Sequence, residues 1–174
     1  MSPTRHEVAA QLEASLATLE ERYAKLPPGE ALRPVTTSAL EGEAGWSARD
    51  HLSHLISIER AFLAIAERTL AGVADPVGLS RFKTREDAVA WVHRMNQTNL
   101  AETSQSGLEE LFGELRRVRA RTLAFIDSAS DQQLTAEVAN APWGGGSVAG
   151  VLITNARHVA QHLDWLQEAI ATER

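Results

Sequence analysis

Apolar residues recur every three or four positions from the start of the chain. Val8, Leu12, Leu16, Leu19, Tyr23 and Leu26 fall on one stripe, which predicts an amphipathic helix from about Thr4 to Leu26. Pro27-Pro28-Gly29 stops it, and residues 27–45 read as a loop containing Pro34, Gly42 and Gly45. Ser47 and Asp50 then form a capping-box variant, with Trp46 placed to staple back onto the first turn. The helix they open carries Leu52, Leu55, Ile56, Phe62, Leu63 and Ala66 to about Ala71. Residues 72–80 break the pattern. Thr84 caps a further segment with Glu86 and Asp87 in its first turn, where the helix dipole favours negative charge. The pattern resets near Thr103–Gly107. Ser106 and Glu109 read as a second capping box, ahead of Leu108, Leu111, Phe112, Leu115, Val118, Leu123 and Ile126. Ser130–Leu134 reads as a short helical turn, and Trp143-Gly144-Gly145-Gly146 as a flexible loop. Ser147 opens the last helix, whose stripe is Val148, Val151, Leu152, Asn155, Val159, His162, Leu163 and Leu166. Short extended pieces are expected only near Val35 and Val138.

Four long amphipathic helices with long connections predict an all-α, up-and-down four-helix bundle with extra short helices. With 174 residues, 44% of them apolar, the chain is expected to form one domain over 1–174 with a sizeable core.

Charge and composition narrow the chemistry. The formal net charge is −6, which disfavours a partner bound through a phosphate backbone, so no nucleic acid is expected. Arg116, Arg117, Arg119 and Arg121 follow Glu109, Glu110 and Glu114 and read as a solvated, salt-bridged helix face. No apolar run reaches the roughly 18 residues of a membrane span, so no membrane is expected and a cytoplasmic location is. There is no cysteine, so thiolate zinc sites and cysteine nucleophiles are excluded and any metal must take nitrogen or oxygen ligands. No glycine-rich phosphate loop follows a strand, and no strand–Ser–helix elbow is present.

The histidines change the picture most. His158 and His162 lie four residues apart on one helix face, so their imidazoles can converge on one ion. The intervening Val159 stands where a zinc-protease helix carries its glutamate base. His54 falls on the core-facing stripe of the second helix, with His51 one turn earlier. Three imidazoles from two helices would leave coordination positions open, as catalytic metal sites do. His6 and His93 read as ordinary surface or half-buried histidines. Two candidates for catalysis accompany them. Asn155, one turn before His158, is either a site residue or a core amide. Glu59 is either a base, an acceptor behind the ligands or a surface charge. Trp143 reads as a pocket-mouth residue or a loop anchor.

These residues carry a family likeness. Trp46-Ser47-Ala48-Arg49-Asp50-His51-Leu52-Ser53-His54-Leu55 resembles the W-S-x-x-(D/E)-x-x-x-H-L opening of the second helix in the DinB-like superfamily. Ser130-Asp131 before Leu134 is similar to the turn after its third helix, and His158 to Leu163 to its closing H-x-x-x-H-(I/L). The resemblance spans nearly the whole chain. It implies a bundle holding a divalent metal, commonly zinc or nickel, on three histidines, which fall here on His54, His158 and His162. His51 occupies a variable position of the motif. Met95-Asn96 also resembles the ClbS/DfsB-type branch, which need not keep the triad. Relatives such as mycothiol-dependent maleylpyruvate isomerase imply a low-molecular-weight thiol co-substrate.

Two functions are therefore expected to compete. One is a metal-dependent thiol transferase, isomerase or hydrolase acting on a small molecule. The other is a non-catalytic small-molecule-binding or stress-protection protein. Apolar stripes on more than one helix face add the expectation of a homodimer.

Overall fold

The computed structural model describes residues 3–27, 29–36, 45–142 and 146–172. Trp143, Gly144 and Gly145 of the expected flexible loop, and Gly42, lie outside them. Among the described residues six α-helices follow in order: α1 (Arg5–Ala24), α2 (Ala48–Leu70), α3 (Arg85–Glu102), α4 (Leu108–Ser128), α5 (Asp131–Leu134) and α6 (Val148–Thr172). Between α1 and α2 come a 3-10 turn (Glu30–Leu32) and two short antiparallel strands, β1 (Pro34–Thr36) and β2 (Trp46–Ser47). The extended pieces expected near Val35 and Val138 are β1 and the bridge between Glu137 and Ser147.

Local sequence sets the helix starts. The Thr4 hydroxyl accepts from the Glu7 N–H while the Glu7 carboxylate accepts from the Thr4 N–H, and Ser47 with Asp50 repeats this reciprocal arrangement on α2. Thr84 caps α3, and Ser147 accepts from the Gly150 N–H at the start of α6. The box expected at Ser106 and Glu109 does not form. A turn that binds the Ser106 N–H to the Thr103 carbonyl absorbs Ser106, so Gly107 becomes the cap residue, with no side-chain bond.

The four long helices form the expected bundle, in which α1 and α2 each pack against both α4 and α6. Two apolar clusters fix the helix directions. At one end Val8, Leu12, Phe62, Ile65, Ala66, Ile126 and Leu152 meet. At the other, Leu19, Tyr23, Leu52, Leu55, Leu111, Leu115 and Val159 meet. Thus α1 and α6 run one way, and α2 and α4 both run the other. The segment containing α3 carries the chain back along the bundle between them. α3 has no fully buried residue, and its capping end is tied to α2 where Arg49 donates to the Thr103 carbonyl at 3.2 Å. The Tyr23 hydroxyl donates to the Ala48 carbonyl at 2.7 Å, closing the α1–α2 end.

One layer of the core is ionic. Arg119, expected on a solvated face, is 2% exposed. Its Nε and Nη2 donate to the two oxygens of buried Glu59 at 2.6 and 2.9 Å. Its Nη1 donates to the Leu12 carbonyl and to Ser15 Oγ, and Thr122 adds a bond to Glu59. The network joins α1, α2 and α4. Arg116 and Arg117 do sit on the expected outer face, paired with Glu20 and Glu114.

Candidate metal centre

Because α2 and α6 are antiparallel neighbours, the start of α2 lies beside the second half of α6. His51 then faces His162, and His54 faces His158, with ring centroids 4.9 and 5.2 Å apart. One ligand atom each from His54, His158 and His162 can be chosen so that all lie within 4.8 Å of one another. The Nε2 atoms of His158 and His162 are 3.0 Å apart. Two nitrogens bound tetrahedrally to one zinc at 2.0–2.1 Å would be roughly 3.3 Å apart, so this pair is already near ligand spacing. His54 Nδ1 is bonded to Asn96 Oδ1 of α3 at 3.2 Å, which leaves Nε2 as the nitrogen for an ion. His158 Nδ1 is buried with no hydrogen-bond partner among the described residues. Nitrogen-only donors, converging and desolvated, fit a divalent transition ion.

The walls are aromatic. The Trp46 ring lies 5.3 Å from His51, 5.0 Å from His54 and 6.3 Å from His162, and Trp165 lies 4.9 Å from His162. Burial therefore dominates the electrostatics. It lowers His51 and His158 to about 4 and His54 to about 3, with neighbouring imidazoles pushing His51 and His54 further down. His162 is lowered most, by burial and then by the charges that would form on His158, His54 and His51. All four rings are neutral at pH 7, which is the form that binds metal.

This sets a pH dependence for the metal-free fold. Between the unfolded value near 6.5 and the folded values near 4, the unfolded chain binds protons that the folded chain refuses. Stability is therefore highest above pH 6.5 and falls as pH drops towards 4. At about 1.4 kcal/mol per unit, the loss should reach about 3 kcal/mol or more. Urea denaturation across that range checks it. A flat profile, or one unchanged by His162→Ala, contradicts a desolvated neutral cluster.

The sequence matches the profile of the DinB superfamily over residues 11–166. The chain belongs to the DinB superfamily. No curated protein is a significant match. Solved structures share the fold. An uncharacterised protein from Escherichia coli UTI89 superposes with a TM-score of 0.73 at 16% identity, covering 99% of this chain and 96% of that one. The colibactin self-resistance protein ClbS, solved with double-stranded DNA, gives 0.71 at 19% identity, covering 97% and 96%. A protein from Streptococcus pneumoniae gives 0.66 at 15%, covering 97% and 91%.

Within this DinB-superfamily bundle, the three histidines expected as ligands come together. Asn155 is 1% exposed, and neither of its amide atoms has a hydrogen-bond partner among the described residues. Glu59 is engaged by Arg119 and Thr122 in the ionic layer. Trp143 lies outside the described residues. Sequence reasoning left aside His51, which is 2% exposed and bonded to His162, and missed Asn96 as the partner of His54. The i, i+3 spacing of His51 and His54 was the available signal for the first.

Proposed function

We propose that the protein is a metal-dependent enzyme acting on a small molecule, with a divalent ion, zinc or nickel, held by His54, His158 and His162. The observation that carries this reading is the convergence of three neutral imidazoles, two buried and His158 half-buried, with ligand atoms within 4.8 Å. Three neutral ligands leave an ion its full charge and an open position, where it would acidify a bound thiol or water or polarise a carbonyl. The chain's own residues do the rest. Asn96 and the aromatic walls hold the rings in place and exclude water. The Asn155 amide, one turn before His158 on α6 and without a partner among the described residues, offers a donor and an acceptor to a polar group of the substrate. Of the two candidates for catalysis Asn155 is the stronger, because the oxygens of Glu59 are already engaged. The substrate class is a low-molecular-weight thiol with an electrophilic small molecule, or a hydrolysable one.

Cobalt(II)-substituted protein tests the open position. Adding a small thiol should produce a sulfur-to-cobalt charge-transfer band. A spectrum indifferent to thiols and small carboxylates would sink the enzyme reading.

The second reading, a non-catalytic protective binder, is favoured by the fold shared with ClbS, a self-resistance protein. Its DNA does not carry over on fold alone, and the −6 charge opposes a polyanionic partner.

A further inference from the structure

We infer that His51 is the positioning residue of the centre, holding His162 in the one tautomer that can bind an ion. The inference rests on the metal reading above. His51 Nδ1 and His162 Nδ1 are 2.6 Å apart and both rings are buried. At that distance one nitrogen donates and the other accepts, and a neutral imidazole has a single N–H. His162 Nε2 points at His158 Nε2, 3.0 Å away, where the ion would sit. If Nε2 keeps its lone pair for the ion, the His162 proton is on Nδ1 and is donated to His51 Nδ1. The His51 proton is then on Nε2, 2.9 Å from Thr36 Oγ1, which accepts it. The Thr36 hydroxyl passes its own proton toward the Trp46 carbonyl at 3.4 Å. Every donor in this chain meets an acceptor with no proton added or removed. The opposite assignment puts a proton on His162 Nε2 and blocks ligation.

The fold fixes the far end of the chain. Thr36 pairs with Trp46 across β1 and β2. The chain entering β2 approaches β1 so closely that a Cβ at Gly45 would clash with the Thr36 carbonyl oxygen. The short ribbon between α1 and α2 thus places a hydroxyl against His51. His54 has the equivalent support from Asn96, while His158 Nδ1 has none among the described residues. Such outer partners typically contribute 10–100-fold to metal affinity.

The test compares zinc affinity, by chelator competition, in the wild type, His51→Phe, His51→Gln and Thr36→Val. X-ray absorption counts the nitrogen ligands, and 15N NMR of the zinc-loaded wild type locates the His162 proton. His51→Phe should bind zinc roughly 10–100-fold more weakly with the same number of ligands. His51→Gln, which restores an acceptor and a donor, should recover most of the loss. The His162 proton should be on Nδ1. Affinity unchanged in His51→Phe, or one nitrogen fewer around its zinc, would each overturn the inference and leave the metal reading standing. A proton on His162 Nε2 would overturn the inference and take His162 out of the ligand set. A wild type that binds no zinc would overturn both. If His51→Phe does not fold, Thr36→Val decides: it should weaken binding, and unchanged affinity counts against the inference.

Discussion

Replacing His162 with alanine is expected to raise the zinc dissociation constant by roughly 100-fold or more while the helices persist. Tetrahedral protein sites bind zinc with about 10–16 kcal/mol, so one ligand accounts for about 3 kcal/mol, and each 1.4 kcal/mol is about tenfold. His162 should show the full effect, because its Nε2 is already at ligand spacing from His158 and its other nitrogen is held by His51. The fold should survive because the two apolar clusters draw on all four long helices. Removing a ring whose charged form is disfavoured by burial also relieves part of the penalty at low pH. His54→Ala and His158→Ala should behave alike, and His93→Ala, on α3, should bind as the wild type does. Chelator competition with circular dichroism measures both halves. Zinc binding that survives in all three triad variants would mean that the ion sits elsewhere.

The second large effect belongs to the framework. Glu59→Ala should destabilise the bundle by about 3–5 kcal/mol, because it leaves the Arg119 guanidinium buried and unpaired. That is a large share of the roughly 5–15 kcal/mol that holds a typical domain together. The desolvation argument also predicts the rescue. A double replacement, Glu59→Leu with Arg119→Met, should recover most of the loss, since well-packed apolar side chains can replace a buried pair at little cost. Guanidinium denaturation gives both values, and a zinc titration should stay unchanged in the double variant. A loss under about 1 kcal/mol in Glu59→Ala would show that Arg119 reaches solvent when its partner is gone. Loss of zinc affinity in the folded double variant would return Glu59 to the site.

How much was legible in the sequence follows from which interactions are local. The helix stripes, the capping box at Ser47 and the i, i+4 pair His158 and His162 depend on spacing within one helix, and each is found where the spacing puts it. The convergence of His54 on that pair needed only that its helix lie beside the last one. His51 was harder. Its role depends on the level at which α2 crosses α6, and on Thr36 arriving from a three-residue strand. Arg119 was expected on a solvated face, and Glu59 was left open between the site and the surface, because a charge is outside by default. Their burial follows only once α1, α2 and α4 meet at the same height. The parallel course of α2 and α4 is likewise a property of the α3 crossover rather than of any helix's own pattern.

Elemental analysis of untagged protein purified without added metal tests the central claim most directly. The account predicts about one equivalent of a divalent transition metal per chain, as a single three-histidine site requires. Protein that carries none, and takes up none from added zinc or nickel, would contradict it and make the histidine cluster a packing layer of the bundle.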